Sequence, residues 1–386
     1  KQEFGSDNFL KTTFTANTGL LDGGIALSAL VAKKTWDGYV DATWSDAYSY
    51  YFAAHKTFGN GKHTIDANVL GAPQQHGQRD EDQIYRESDW QEYADATGED
   101  KRRLSPHRYG SGWGNLTKDQ YESLNDNYIG HRGSTDWAHD VLFGGIMHTK
   151  QVGDSYLINT RTNYYHKPVY SLNWKWDIDK SSSLSTTLYG SKGRGGGTGP
   201  LNTRDTYMGD DGVDDYYKYF NPAELDNGSG QIDWAQVISN NRYWSAGSEF
   251  DTTYSSTMHR SKRIIRASVN HHDWTGVLST YSRRFSDNLN FTTGFDLRSY
   301  AGEHYREVVN LLGGDYYVHH YAKAGETGSE RMRGVGGLID YHNTGYHDWY
   351  GGWSQLEYVS DPFSVVASGA RSVSRYQRQE QYNETE

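Results

Sequence analysis

The chain has no cysteine, only six prolines, and no apolar run of the ~18 residues that a membrane-crossing helix needs. Without cysteine there is no disulfide scaffold and no thiolate-ligated zinc or iron–sulfur site. Basic residues are outnumbered by acidic ones, 38 to 49. The formal net charge is −11, which argues against a nucleic-acid partner. Mean hydropathy is −0.87 and hydrophobic residues make up 35% of the chain, values that alone suggest a soluble or partly disordered polypeptide. The aromatic content opposes disorder: 32 Tyr, 12 Trp and 12 Phe are too many for a solvated tail. Forty-three glycines against six prolines favour strands and turns.

What is present is a period of two. Tyr170, Leu172, Trp174, Trp176 and Ile178 alternate with Ser171, Asn173, Lys175 and Asp177. After a short turn, Leu184, Thr186 and Leu188 alternate with Ser185, Thr187 and Tyr189. Similar strands are expected near residues 9–18, 25–35, 47–58, 62–70, 273–285, 289–300, 351–360 and 363–375. Residues 141–147 and 155–164 are weaker strand candidates. Short turns at Leu20-Leu21-Asp22, Gly59-Asn60-Gly61, Asp179-Lys180, Asp287-Asn288 and Asp361-Pro362 fall at one end. Long, polar, aromatic segments near 73–140, 190–252 and 301–350 fall at the other. An all-β, antiparallel transmembrane barrel has this pattern, because only alternate residues meet lipid, with periplasmic turns short and extracellular loops long. Trp174, Trp176, Tyr189, Trp274, Tyr300 and Trp353 near strand ends suit interfacial girdles. Asn173, Lys175, Asp177, Asn290, Asp296 and Arg298 are expected to face a wet lumen.

Several segments carry a family resemblance. Gly5-Ser6-Asp7-Asn8-Phe9, Thr18-Gly19-Leu20-Leu21-Asp22-Gly23 and Gly71-Ala72-Pro73-Gln74-Gln75-His76-Gly77-Gln78-Arg79 resemble the barrel of TonB-dependent outer-membrane receptors of the Bacteroidota type. So do Asn163-Tyr164-Tyr165-His166-Lys167-Pro168, Ala267-Ser268-Val269-Asn270-His271-His272-Asp273-Trp274 and Asp296-Leu297-Arg298-Ser299-Tyr300. The resemblance runs along essentially the whole chain. It implies a plugged barrel of the 22-stranded class. It also implies import of a scarce solute with energy from the TonB-ExbB-ExbD system acting through the plug, and a bacterial outer-membrane location. A surface lipoprotein partner belongs to the glycan-importing branch. About ten strands, with no plug before Phe9, read as a middle portion of such a protein.

Other chemistry is weaker. Gly190 to Gly199 lacks the order of a phosphate-binding loop and reads as a flexible loop leaving a strand. Asp210, Asp211, Asp214 and Asp215 form a weak calcium candidate without EF-hand spacing. His131, His139, His319, His320, His342 and His347 lie among carboxylates, but no pair has a spacing that demands a metal. Trp90, Trp113, Tyr121 and Trp137 in the longest loop are candidates for holding a ligand, whether small molecule, glycan or peptide; such rings also suit a loop packed on itself. No catalytic constellation is present, so the expectation is a non-enzyme without a cofactor. The rival readings are a passive porin-like channel and a surface glycan-binding β-protein.

Overall fold

The computed structural model describes residues 1–40, 42–79, 113–126, 137–143, 149–152, 155–202, 234–244, 248–319 and 325–382. Nineteen strands are described, most of them in one antiparallel sheet. They are β1 (Gln2–Phe4), β2 (Leu10–Asn17), β3 (Ile25–Trp36), β4 (Ser45–Phe58), β5 (His63–Gly71), β6 (Gln74–Gly77), β7 (Trp113–Leu116), β8 (Thr149–Val152), β9 (Ser155–Asn159) and β10 (Thr162–His166). Then come β11 (Val169–Asp179), β12 (Ser182–Asn202), β13 (Arg260–Ser261), β14 (Arg263–Arg284), β15 (Leu289–Asn310), β16 (Tyr316–Val318), β17 (Met332–Arg333), β18 (Leu338–Ser360) and β19 (Phe363–Glu380). The helices are α1 (Lys118–Asp126), α2 (Trp137–Phe143) and α3 (Trp234–Arg242).

The main path runs β1-β2-β3-β4-β5-β11-β12-β14-β15-β18-β19. It is an up-and-down antiparallel barrel wall, the fold class expected from the alternation. Hairpin turns close one end. Between β4 and β5, Gly59, Asn60 and Gly61 all take positive φ, of 62°, 56° and 81°. Glycine and asparagine are the residues that adopt this conformation with least strain.

Two prolines explain a break in the wall. Pro73 separates β5 from β6, and Pro168 separates β10 from β11. Proline has no amide hydrogen to give the ladder. Pairing resumes on the far side: β6 pairs with β4 and β10, and β10 pairs with β12. Each proline thus divides one long strand into two pieces.

Strands reach further from the turns than the alternation suggested. β12, β14, β15 and β18 are 21 to 23 residues long, about twice what a tilted membrane strand requires. Three expectations are corrected here. Gly190 to Gly199 is not a loop but part of β12. Residues 301–310 and 338–350 are strand. Residues 137–143 form a helix where 141–147 suggested a strand. The glycine run has a packing reason. A Cβ at Gly195 would lie 2.6 Å from the Tyr164 carbonyl, and one at Gly196 would lie 2.6 Å from that of Ser268. Gly195→Val is therefore expected to destabilise the β10–β12 pairing by about 1–3 kcal/mol, the usual overpacking cost. Hydrogen exchange at the Tyr164 and Tyr165 amides would show it as faster opening.

The extended strands are covered by connecting segments. Ile265, Ala267, Val269 and Val309 pack with Leu124 of α1, Trp234 and Val237 of α3, and Ile158 of β9. Ile264 and Val308 pack on Leu311, Tyr317 and Ile339. Both faces of the sheet are thus buried at this end. Asn241 of α3 ties it together: its amide donates to the carbonyls of Arg263, Leu311 and Leu312 and accepts from the Lys262 and Arg263 amides, at 2.8–3.1 Å.

Candidate functional site

Residues directly opposed across antiparallel strands share a face, so the register sorts the wall into rows. One row reads Leu27, Ala54, Ala67, Leu172, Leu188, Val277, Leu297, Tyr350, Val373. It is apolar or aromatic at every position. The adjacent row, on the other face, reads Ser28, Ala53, Asn68, Ser171, Tyr189, Gly276, Arg298, Trp349, Ser374. At the turn end of the apolar face, Phe58, His63, Trp174 and Trp176 stack with centroids 5.0–6.1 Å apart. Arg371 and Arg375 break the pattern on β19, opposite Gly352 and Asp348.

The polar face holds the expected lumen candidates, paired along their own strands. Lys175 Nζ lies 3.1 Å from Asp177 Oδ1. Arg298 Nε donates to Asp296 Oδ1 at 2.9 Å, and its terminal nitrogen also binds that carboxylate. Neither pair carries net charge.

The same face carries four of the six aromatic rings expected at interfacial girdles. Tyr189, Trp274, Tyr300 and Trp353 are on the polar face, whereas Trp174 and Trp176 are on the apolar one. The reason is parity: Tyr189 alternates with Leu188, and Trp353 opposes Gly294, beside Asp296. Tyr189, Tyr300 and Trp353, and Trp349 on the same face, lie on glycines. The Trp353 indole nitrogen occupies the space 2.9 Å from where a Gly294 Cβ would be, and that of Trp349 the space 3.0 Å from a Gly351 Cβ. Tyr189 covers Gly276, and Tyr300 covers Gly302. The missing side chain lets each ring lie on the wall with a face outward. Gly276, opposite Tyr189, and Gly351, two residues after Trp349, were the signals in the sequence.

Between the rings lies a cavity of about 340 Å³ lined by Trp274, Arg298, Ser299, Tyr300, His347 and Trp349. Tyr189 meets Trp274 edge-on at 5.2 Å. Tyr300 Oη is 2.5 Å from His272 Nδ1. His347 stacks on Tyr376 at 4.3 Å, and its buried Nε2 finds no hydrogen-bond partner among the described residues.

Of the loop candidates, Tyr121 packs on Tyr156 at 4.9 Å, against the core over β14. Trp90 and the four aspartates, Asp210, Asp211, Asp214 and Asp215, lie outside the described residues, as do the side chains of Trp113 in β7 and Trp137 in α2. Among the described residues no three His, Asp or Glu side chains are grouped as metal ligands. His342 bonds Glu303 at 2.8 Å, and His319 lies between Asp340 and Tyr382, at 3.1 and 2.7 Å.

His259 joins the connecting segments, with Glu249 and Asp315 each 2.9 Å from its ring. Its hydrogen bond to Glu249, followed by that to Asp315, raises its pKa above the ordinary 6.5. A raised folded-state pKa stabilises below the unfolded value, and that contribution is lost as pH rises through the folded one. The Asp315 amide donates to the His259 carbonyl at 2.9 Å. Its exchange protection, corrected for intrinsic rate, is expected to fall as pH rises above about 6.5, the ordinary His value, and on through the raised pKa. In His259→Gln it should stay flat.

No family model matches the chain, and no curated protein matches it in sequence. Solved structures do align. The ferric-catecholate import receptor Fiu of E. coli K12, in its open form, is 11% identical with a TM-score of 0.46, over 98% of this chain and 44% of that one. P. aeruginosa FpvA bound to heterologous pyoverdines is 10% identical with a TM-score of 0.49, over 99% and 38%. The ferric citrate transporter FecA in its unliganded form is 8% identical with a TM-score of 0.46, over 97% and 36%. The chain therefore spans less than half the length of these three.

Proposed function

We propose that this chain is wall of an outer-membrane receptor that captures a scarce solute outside the cell and imports it with TonB-derived energy. The carrying observation is the apolar row across nine strands beside a polar row on the opposite face. Large apolar side chains on that face, among them Leu172, Leu188, Phe295 and Tyr350, are 40–49% exposed. Lipid is the solvent that suits such a surface. The aromatic stack at its turn end suits a headgroup interface. The strand extensions and their covering segments then stand outside the bilayer, where they form the receptor surface. The polar face lines a lumen.

Eleven strands lie on the main path, which leaves room for the rest of a barrel of the 22-stranded plugged class. The plug, the TonB-ExbB-ExbD partner, the Bacteroidota type and any surface lipoprotein rest on the sequence resemblance alone. The reading involves no catalytic step. Full-length protein in a planar bilayer tests it against the passive channel. A plugged receptor is expected to show no steady ion conductance, whereas a steadily open pore would make this a porin-like channel.

A further inference from the structure

We propose that the aromatic residues on the polar face form a stacking lane for a neutral oligosaccharide. The proposal rests on the reading that this face lines a lumen, and it names the class of solute.

The rings are ordered along the strands. Trp274 and Tyr300 share one row, Tyr189 and Trp349 the next, and Trp353 lies two rows further towards the turns. Rows on one face repeat every two residues, about 6.7 Å. The lane therefore covers about 20 Å of depth from the middle of the strands towards the turns, several sugar rings long. Tyr189, Tyr300, Trp349 and Trp353 are each held down by the glycine they cover, and Trp274 is held by its edge-on contact with Tyr189, so little rotamer freedom remains to be lost when a ligand stacks. An aromatic face is electron-rich and attracts the weakly positive C–H face of a pyranose.

Charge selects among solutes with flat faces. Among the described residues the only charged side chain lining the cavity by the rings is Arg298, and Asp296 neutralises it. A polyanion such as a ferric catecholate complex would find no unmatched cation in this cavity. A neutral sugar would find both partners it needs, because the ion pair offers a donor and an acceptor to neighbouring hydroxyls. His347 Nε2 is a further polar point. It becomes reachable if Tyr376, 75% exposed, swings off the imidazole.

The test is calorimetric titration of the full-length protein in a sugar-free amine-oxide detergent. The probes are four neutral hexasaccharides: an α-1,4-glucan, a β-1,4-glucan, a β-1,4-xylan and an α-1,6-mannan. At least one is expected to bind. Trp349→Ala should weaken it about tenfold or more, as truncation of an aromatic anchor does. Gly351→Ala, which keeps the indole but lifts it from the wall, should weaken it too. Tyr350→Ala, on the opposite face, should leave affinity unchanged. Binding of none of the four overturns the proposal, as does binding that Trp349→Ala leaves intact. Tight binding of a ferric catecholate that Trp349→Ala abolishes overturns it as well. Each of these outcomes leaves the receptor reading standing if the bilayer shows a closed, membrane-inserted protein. Failure to insert removes both.

Discussion

Leu188→Arg is expected to destabilise the inserted protein by about 2–4 kcal/mol, the cost of a cation on the lipid face near the bilayer midplane. Leu188 is 49% exposed, and its row partners Leu172 and Val277 offer it no counter-charge. In a water-soluble sheet, arginine at a half-exposed site would change stability by no more than about 0.5 kcal/mol. Thr187→Arg supplies the comparison, because Thr187 is the next residue and faces the polar side beside Asn173. It should be nearly neutral. Urea unfolding in lipid vesicles, read from the folded band on unheated gels, would separate the two variants.

Asp251→Ala is expected to cost about 3–5 kcal/mol, the penalty for removing one member of a buried ion pair. Arg260 donates to Asp251 at 2.7 Å, with the two side chains only 3% and 5% exposed. The guanidinium also lies over the Trp244 ring, at 4.3 Å, and near that of Tyr254, at 5.1 Å. Asp251 organises the turn as well: its carboxylate accepts from the Thr253 amide and its carbonyl from those of Tyr254 and Ser255. The loss should open residues 248–262 locally while the barrel wall stays folded, so limited proteolysis should cut first in this segment. Asp251→Leu with Arg260→Met removes both charges and should recover much of the stability.

The parts of the fold legible in the sequence are those with one wet face and one apolar face. Residues 170–189 and 289–300 alternate because each face has its own solvent, and their hairpins lie where the alternation puts them. The strand extensions are silent for a physical reason. Ile264 and Ile265 are adjacent yet both fully buried, because covering segments pack on both faces. Strands buried on both sides lose the period of two. Gly195 and Gly196 look like loop residues for another reason, since their function is to let Tyr164 and Tyr165 approach.

Thr117-Lys118-Asp119-Gln120 is a capping box. The Thr117 amide donates to the Gln120 side chain at 2.8 Å, and the Gln120 amide donates to Thr117 Oγ1 at 3.2 Å. It marks the start of α1 and thereby places Tyr121 and Leu124 against the core. The helix at 137–143 gave less warning, because a short apolar run such as Val141-Leu142-Phe143 fits either state. Position near a strand end does not distinguish a girdle ring from a lumen ring, because the face a ring takes depends on its parity in the strand. Parity alone separates Tyr189 from Leu188.

The absence of cysteine offers the most direct test of the membrane wall. Single cysteines at positions 184 to 189 of β12, in full-length protein with no other cysteine, would be spin-labelled in outer-membrane vesicles. Collision rates would be read with oxygen, which concentrates in lipid, and with a water-soluble nickel chelate. The account predicts oxygen maxima at Leu184, Thr186 and Leu188 and nickel maxima at Ser185, Thr187 and Tyr189. Equal nickel access on both faces, or an apolar face closed to both reagents, would contradict it and make the sheet part of a water-soluble protein.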